Sequence, residues 1–362
     1  MTRTLISGYY GFGNAGDEAI LAGLVEGFRS LAPDVSLTVL SSHPAATEAE
    51  HGVRAVPRGT RAAGAAMRQA DLFLSGGGGL LQDATSWRSP LYYLWLLRLA
   101  RRRGLPVACL GHGVGPLRRR WVRGLTRRFL ENVDVMAVRD HRSLEILRGL
   151  GLRRTVEVTA DLAFLLPPPS AEEATAAWQK AGLAEKTGPA VAIAVRRLPN
   201  EDKGKGREIA VAALAACRAA HLRPVLIPMQ RPDDLEVAEA AVHAARSGEV
   251  ARVGLSARET LALLSAFDLV LAMRLHALIF AAISGSPLVA ISYDPKVDGL
   301  MGELHLLPAT SSAAFDAAVL TQAVRTAWEE REELARRMRP HVARLRTEAQ
   351  RNITLALQLV SR

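Results

Sequence analysis

Length, composition and charge exclude several classes of protein. The chain has 362 residues, of which 49% are hydrophobic and 23% are charged, so it is too long for one hydrophobic core and too apolar for a disordered protein. Its formal net charge of +10 favours anionic ligands such as phosphorylated small molecules, acidic lipids or nucleic acid. Its two cysteines cannot build a disulfide framework, which indicates a reducing cytoplasm. We therefore expect two globular domains in the cytoplasm.

Short apolar runs alternate with longer amphipathic stretches along the first half of the chain. Strands that alternate with helices imply βαβ units, so we predict a mainly parallel sheet whose ligands lie at the carboxyl ends of the strands. The predicted strands are Thr4–Ser7, Val35–Leu40, Asp71–Ser75, Pro106–Leu110 and Val133–Val138.

A proline-rich segment, Leu165–Ser170, predicts a linker, because proline supplies no amide to a strand ladder. A second set of predicted strands follows it: Ala190–Val195, Arg223–Ile227, Leu269–Ala272 and Leu288–Ser292. We therefore predict two Rossmann-like domains, over residues 1–167 and 168–345. Residues 346–362 are predicted to form a terminal helix of unspecified packing.

The first strand leads into a glycine-rich turn, Gly8–Glu18, which lets the backbone approach a ligand closely. The turn lacks the Gly-Lys-Ser/Thr of a Walker loop and the spacing of a dinucleotide fingerprint. Asp17 and Glu18 stand at the start of the following helix, where they either complement its dipole or interact with sugar hydroxyls. The candidate ligand-binding positions in the turn are Gly13, Asn14 and Gly16.

Two further glycine-rich segments follow predicted strands. Four adjacent glycines, Gly76–Gly79, would weaken any regular element, so Gly77 and Gly78 are expected to approach a ligand or the other domain. Gly111–Pro116 repeats the pattern after the next strand. His112, inside that segment, is either a structural hydrogen-bonding residue or a catalytic one.

Arginines also stand at the carboxyl ends of predicted strands. Arg139 could meet a carboxylate or phosphate of a ligand, or it could pair with Asp140 or another acid of the protein. Arg196 and Arg197 end a strand of the second half, and we leave them out of the candidate set because a solvated loop explains them.

The sharpest signal is a pair of polar residues in a very apolar run. Arg274 and His276 must find partners there or incur a desolvation cost of several kcal/mol. A structural ion pair is one interpretation. The other is that Arg274 holds an anion and His276 exchanges a proton. Lys296, which follows a later strand, could supply a second cation for a phosphate.

Membrane spans and export signals are not predicted. The N-terminus lacks the apolar region of a secretory signal, and the long apolar stretch Leu269–Ile291 is interrupted by charge. The basic cluster within Arg101–Arg128 is typical of a solvated helical face, but it could also make peripheral contact with anionic lipid at the inner membrane surface. Nucleic acid is not expected as a partner, because no reader motif accompanies the charge.

Seven segments occur along the chain in one order: Gly11–Glu18, Ser75–Gly79, Gly111–Pro116, Val138–Asp140, Asp161–Phe164, Met273–His276 and Tyr293–Lys296. Together they resemble the polysaccharide pyruvyl transferase family, particularly its CsaB-like bacterial cell-wall branch. The resemblance covers nearly the whole chain. It departs from the family pattern at Leu162, where many members have proline.

The resemblance implies two Rossmann-like domains that face each other across a cleft, as in the glycosyltransferase B architecture. It also implies an enzyme that moves the pyruvyl group of phosphoenolpyruvate onto a hexose of a cell-wall or lipid-linked saccharide, in the manner of S-layer anchoring systems. The product would be a cyclic ketal, commonly on N-acetylmannosamine, with release of phosphate. Phosphoenolpyruvate is then a co-substrate, and no metal or other cofactor is expected.

The resemblance also suggests roles for the candidate residues. His276 is expected to protonate the donor, and Asp17 or Glu18 to deprotonate an acceptor hydroxyl, although the acid and base could exchange between steps. Arg139, Arg274 and Lys296 would balance the donor charges. Two alternatives remain open: a nucleotide-sugar-dependent glycosyltransferase of the same architecture, and a noncatalytic phospholigand-binding or envelope-scaffold protein.

Overall fold

The computed structural model describes residues 2–84, 86–198 and 204–360. The chain forms two compact units. Unit 1 comprises Met1–Gly13, Asp17–Leu166 and Arg344–Arg362, and unit 2 comprises Asn14–Gly16 and Pro167–Ala343. Each unit contains a parallel β-sheet interleaved with helices, so the predicted α/β fold class is confirmed.

The sheet of unit 1 has the strand order β3-β2-β1-β4-β5-β6-β7, and all neighbouring strands are parallel. Its strands are β1 (Arg3–Ser7), β2 (Ser36–Ser41), β3 (Arg54–Pro57), β4 (Leu72–Leu81), β5 (Val107–Val114), β6 (Val135–Val138) and β7 (Glu157–Val158). The helices between them are α1 (Ala15–Leu31), α2 (Pro44–His51), α3 (Thr60–Met67), α4 (Arg88–Arg102), α5 (Arg120–Leu130) and α6 (His141–Gly149).

The sheet of unit 2 has the order β10-β9-β8-β11-β12-β13, again with parallel neighbours. Its strands are β8 (Ala190–Ala194), β9 (Arg223–Leu226), β10 (Glu249–Val250), β11 (Leu269–Ala272), β12 (Leu288–Ser292) and β13 (Thr310–Ser311). Its helices are α7 (Ala171–Lys180), α8 (Lys205–Ala219), α9 (Asp233–Ala245), α10 (Ala257–Ser265), α11 (Leu275–Ser284), α12 (Pro295–Glu303) and α13 (Ala317–Glu329).

The last helix, α14 (Arg331–Leu357), begins in unit 2 and ends in unit 1. Its final turns are buried in unit 1, where the Asn352 side chain bonds to the Thr159 hydroxyl at 2.9 Å and donates to the Ala160 carbonyl at 3.2 Å. Ile353 packs close to Gly27 of α1. None of the helices in the described residues has the length and hydropathy of a membrane-spanning segment.

The strand order reverses once in each sheet, between β1 and β4 in unit 1 and between β8 and β11 in unit 2. At such a point the connections of two adjacent strands leave in opposite directions, which opens a crevice at the carboxyl ends of the strands. The glycine-rich turn follows β1, and Arg274 follows β11. The topology therefore brings both features to these reversal points.

The prediction that two glycine-rich segments follow strands is wrong, because Gly76–Gly79 and most of Gly111–Pro116 belong to the strands themselves. β4 continues through Gly76–Gly79, and β5 continues through His112. The two strands stay paired, with Gly78 opposite His112 and a register shift beyond it. Positive φ angles at Gly77 and Gly78 allow this irregular, bulged geometry, which a side chain would strain.

Candidate active site

The glycine-rich turn of unit 1 is held in place by side chains from several directions. The buried Tyr10 hydroxyl donates to the Gly76 carbonyl, and burial raises the pKa of this phenol well above its ordinary value. The Tyr93 hydroxyl donates to the Gly8 carbonyl at 3.3 Å. These bonds tie the turn after β1 to β4 and α4, so its backbone is fixed before any ligand binds.

Glu18 is buried and takes part in this support. Its Oε1 accepts a hydrogen bond from the Gly11 amide at 2.8 Å, and its Oε2 lies 3.4 Å from Nε2 of His51. Glu50 adds a third potential ligand atom, since the three groups lie within 4.8 Å of one another and could hold a metal ion. The prediction that no metal is required remains untested. The contacts of Glu18 place it beneath the turn as a supporting group.

Asp17 differs from Glu18 because it is only half-buried and lies beside the second glycine segment. A Cβ atom added to Gly78 would lie 3.1 Å from the Asp17 Oδ1. Gly78 also has a φ of +80°, a conformation that disfavours any side chain. The bare backbone at this position therefore leaves space for the carboxylate at the reversal point of the unit 1 sheet.

His112 lies on β5 in the same unit and is fully buried. Its Nε2 lies 3.1 Å from the Ser75 carbonyl, and this contact requires Nε2 to carry the proton. Burial lowers the pKa of His112 to about 4, so the ring is neutral at pH 7. Its Nδ1 then presents a lone pair that has no partner among the described residues.

Arg139 follows β6 in unit 1 and is also buried. Its Nη1 donates to Oδ2 of Asp161 at 2.9 Å, and its Nε lies 3.4 Å from Oδ2 of Asp140. Burial would lower the pKa of this guanidinium, but the two carboxylates raise it overall. A side chain at Gly113 would overlap the guanidinium. Arg139 therefore sits in a protein ion pair, the structural alternative considered from the sequence.

Arg274 follows β11 at the reversal point of unit 2. Its Nε donates to Oδ2 of the buried Asp234 at 2.9 Å, its Nη2 donates to the other carboxylate oxygen, and Nη2 also donates to Oε1 of Gln230 at 3.2 Å. Asp234 additionally accepts from the amides of Met229 and Gln230. The guanidinium is thereby fixed in one orientation, and its Nη1 makes no hydrogen bond within the described residues.

His276 lies in the first turn of α11, and the short segment Asn14–Gly16 belongs to the same unit. A Cβ atom added to Gly16 would overlap the His276 imidazole, which explains why glycine suits this position. The segment is held by the Ala15 amide, which donates to the Met229 carbonyl at 3.2 Å, and by the side chain of Asn14, which accepts from the Gly16 amide.

Lys296 belongs to a second cationic group in unit 2. Its Nζ lies 5.3 Å from the Tyr293 ring centroid and 3.7 Å from Oδ2 of Asp294. Arg196, after β8, donates from Nη1 to the Tyr293 hydroxyl at 2.9 Å. Burial would raise the pKa of Tyr293, but the charges of Lys296 and Arg196 lower it overall. Two cations thus flank one phenol at the carboxyl ends of β8 and β12.

Sequence reasoning missed several members of these groups. Arg196 was left out, although its place at a strand end was the same signal that selected Arg139. Asp234 and Gln230 gave no signal, because nothing in their local sequence distinguishes them from ordinary residues at a helix start.

The structure distributes the predicted site residues over both units. Unit 1 contains Asp17, Gly77, Gly78, His112 and Arg139, and unit 2 contains Asn14, Gly16, Arg274, His276 and Lys296. Gly13, in the turn itself, has a positive φ of +69° and belongs to unit 1.

Solved structures with the same fold define the structural class. UDP-GlcNAc 2-epimerase from Neisseria meningitidis is 11% identical, with a TM-score of 0.66 over 99% of this chain and 100% of that one. A glycosyltransferase from Rickettsia africae is 9% identical, with a TM-score of 0.66 over 99% of both chains. MurG from Acinetobacter baumannii is 13% identical, with a TM-score of 0.53 over 99% and 100%. The fold is therefore that of the glycosyltransferase B class, as predicted.

Within that class, the sequence itself identifies the family. The model of the polysaccharide pyruvyl transferase family matches residues 14–295. This range includes the end of the first glycine-rich turn, both later glycine-rich segments and the Arg274–His276 pair. The chain belongs to the polysaccharide pyruvyl transferase family, which confirms the family resemblance.

One curated relative supports this assignment. The amylovoran biosynthesis protein AmsJ of Erwinia amylovora is 28% identical over 227 residues, which is 56% of this chain and 52% of that protein. The chain thus matches about half the length of this relative.

Proposed function

We propose that this protein transfers the pyruvyl group of phosphoenolpyruvate to a hexose of a cell-wall or lipid-linked saccharide. The product would be a cyclic ketal, with an N-acetylmannosamine-type residue as the acceptor, as in the CsaB-like branch of the family. The observation that carries the proposal is the oriented Arg274 and the adjacent His276 at the reversal point of unit 2, in a chain of the pyruvyl transferase family.

The donor carries a carboxylate and a phosphate, and unit 2 offers cations for both. Because Asp234 neutralises the Arg274 charge, this arginine contributes mainly directed hydrogen bonds from Nη1 to the carboxylate. Lys296 and Arg196 supply positive charge for the phosphate. Arg139 is already bound by two acids, so the proposal assigns donor binding to the unit 2 cations.

The reaction begins with proton transfer from His276 to the methylene carbon of the donor, which becomes a methyl group and leaves cationic character on the second carbon. One acceptor hydroxyl adds its oxygen there and loses its proton to a base. A second hydroxyl adds as the bond between that carbon and the phosphate oxygen breaks. In total, two carbon–oxygen bonds form and one breaks. One hydroxyl proton replaces the proton that the acid gave to the methyl carbon, and the other leaves with phosphate.

Asp17 is the better candidate for the base in unit 1. Glu18 is buried and its carboxylate supports the turn, whereas Asp17 is more exposed to an incoming acceptor and lies beside the glycine backbone at Gly78. We assign Glu18 to the support of the turn and the acceptor contacts to Gly13 and its neighbours. His112, neutral and with a lone pair on Nδ1, is suited to accept a hydrogen bond from a hydroxyl. The proposal requires no metal or other cofactor.

Isotope labels distinguish this reaction from other ways of releasing phosphate. The protein would be incubated in deuterium oxide with an acceptor saccharide and with phosphoenolpyruvate whose bridging oxygen is labelled. We expect one deuterium in the ketal methyl group and the labelled oxygen in the released phosphate, because the carbon–oxygen bond breaks. Labelled pyruvate and unlabelled phosphate would indicate a phosphatase. Activity only with a nucleotide sugar would indicate a glycosyltransferase and overturn the proposal.

Neighbouring arginines provide a matched pair of variants. Arg196→Gln should raise the KM for phosphoenolpyruvate, since Arg196 bonds to Tyr293 in the cationic group. Arg197→Gln removes the same charge from a pair with Asp233 whose side chains are 53% and 46% exposed, and it should leave KM nearly unchanged. Equal effects of both variants would contradict the assignment of the donor phosphate to this group.

A further inference from the structure

The positive charge of the chain is concentrated in one segment. Residues 84–130 contain eleven arginines and no lysine, aspartate or glutamate, so this segment carries a charge of +11 in a chain whose net charge is +10. The remainder of the sequence is therefore close to neutral, at −1. The segment includes the whole of α4 and α5. Electrostatic attraction of an anionic partner would act on this part of unit 1.

Two exposed tryptophans lie together within this segment. Trp87 precedes α4 and is 40% exposed, and Trp121 lies in the first turn of α5 and is 46% exposed. Their ring centroids are 5.7 Å apart in an edge-to-face arrangement. Large apolar side chains that adjoin one another at a surface commonly mark an interaction site. Burial of these rings in the protein core does not account for them.

The two helices lie side by side and run in the same direction. The tryptophans connect their N-terminal ends, and Arg98 of α4 lies over the Phe129 ring of α5 at 5.8 Å, near their C-terminal ends. Val122, Thr126 and Leu130 form the buried stripe of α5. Four arginines, Arg120, Arg123, Arg127 and Arg128, are exposed to solvent along the length of α5.

Some arginines of the segment already have acidic partners. The Arg101 side chain pairs with Asp134 at 2.7 Å, and the backbone amides of Arg118 and Arg119 donate to the Asp83 carboxylate at 2.7 and 2.8 Å. The guanidinium groups of four exposed arginines near the tryptophans have no acidic partner within the described residues: Arg88, Arg118, Arg120 and Arg123. We call these four together with Trp87 and Trp121 the Trp–Arg surface.

We propose that the Trp–Arg surface docks the protein on a bilayer containing anionic phospholipid. Tryptophan prefers the boundary between lipid head groups and acyl chains, because its ring is apolar and its N–H remains hydrogen-bonded. Arginines beside it attract anionic head groups. A soluble polyanion would also be attracted by the positive charge, but its binding would not require two adjacent, partly exposed tryptophan rings. The proposal is independent of the reaction proposed above.

Vesicle binding tests the charge requirement directly. The full chain would be sedimented with phosphatidylglycerol-containing vesicles and with phosphatidylcholine vesicles, without phosphoenolpyruvate. We expect binding to the anionic vesicles alone, weakened by salt. Because each basic residue near the surface contributes about a fivefold gain in affinity, Arg120→Gln with Arg123→Gln should lower the affinity by about 30-fold. The same charge change at the exposed Arg337 and Arg339 of α14 should have little effect.

Brominated lipid tests the insertion of the tryptophans. Bromine in the upper acyl chain should quench the fluorescence of the native protein, and the quenching should be lost in the variant Trp87→Phe with Trp121→Phe. That variant should keep its thermal unfolding temperature and its transfer activity on a soluble acceptor, because neither ring belongs to the proposed site.

Three results would overturn the proposal. These are equal binding to both kinds of vesicle, equal losses in the two arginine variants, and quenching that persists without the two tryptophans. Binding to heparin that exceeds vesicle binding, with no quenching by brominated lipid, would assign the surface to a soluble polyanion instead.

Discussion

Replacement of Asp234 by asparagine tests the pairing that orients Arg274. The buried carboxylate accepts hydrogen bonds from the Arg274 guanidinium and from the backbone amides of Met229 and Gln230. Asparagine has nearly the same shape, but it is neutral and has only one acceptor oxygen. At least one of these donors then loses its acceptor, and the arginine charge stays buried without a counter-ion.

The expected cost follows from that loss. Removal of one partner from a buried ion pair destabilises a protein by about 3–5 kcal/mol. We therefore expect Asp234→Asn to lower the free energy of unfolding of unit 2 by about 3 kcal/mol. A second change, Arg274→Met, removes the unpaired charge, so the double variant should be less destabilised than the sum of the single ones.

The measurement is urea unfolding followed by pulsed hydrogen exchange, with peptides from unit 2 as the probe. The matched control is Asp233→Asn, one residue earlier on α9, because Asp233 pairs with Arg197 at 3.4 Å in an exposed position. An exposed ion pair contributes at most about 1 kcal/mol to the free energy of unfolding, so the control variant should be nearly as stable as the native protein. Equal losses in Asp233→Asn and Asp234→Asn would refute the reasoning, as would additive effects in the double variant.

Three further predictions concern other groups of the candidate site. The pKa of His112, about 4 when folded, lies below its unfolded value, so the unfolded chain takes up the proton first. The unfolding free energy should then fall by up to about 3 kcal/mol as the pH drops from 6.5 to 4, and His112→Gln should remove this slope in acid titrations of stability. Gly78→Ala should cost about 1–2 kcal/mol because of its φ of +80°, whereas Gly79→Ala, with open space around it, should be nearly neutral in urea unfolding. Gly16→Ala should reduce kcat for transfer by displacing the His276 ring, and an unchanged kcat would contradict that role.

The long apolar strands were predictable because their hydrophobic residues form continuous runs with turn residues at each end. The strands β8, β11 and β12 lie at or within one residue of the predicted bounds. The short strands β7, β10 and β13, of two residues each, carry no periodicity that could reveal them. The bulged ends of β4 and β5 were missed because glycine is read as a break, whereas a partner strand can keep it paired.

The candidate site, like the fold, was only partly predictable from the sequence. The isolated charge of Arg274 indicated that it needed a partner, but its acid lies 40 residues away on a different helix, and spacing along the chain does not encode that contact. Asp17 and Glu18 looked equivalent from the sequence. Their difference arises from helix geometry, which points one carboxylate toward β4 and the other toward the Gly11 amide and His51.

The path of α14 has a consequence for the order in which the protein is made. Most of unit 1 leaves the ribosome before most of unit 2, yet the core of unit 1 also includes Asn352 and Ile353 of α14. Unit 2 needs only residues up to Ala343, apart from the short Asn14–Gly16 segment. During synthesis, unit 1 therefore begins to emerge before unit 2 but is completed after it. Until the final turns of α14 emerge, the groups of unit 1 that they cover stay exposed to solvent and to chaperones.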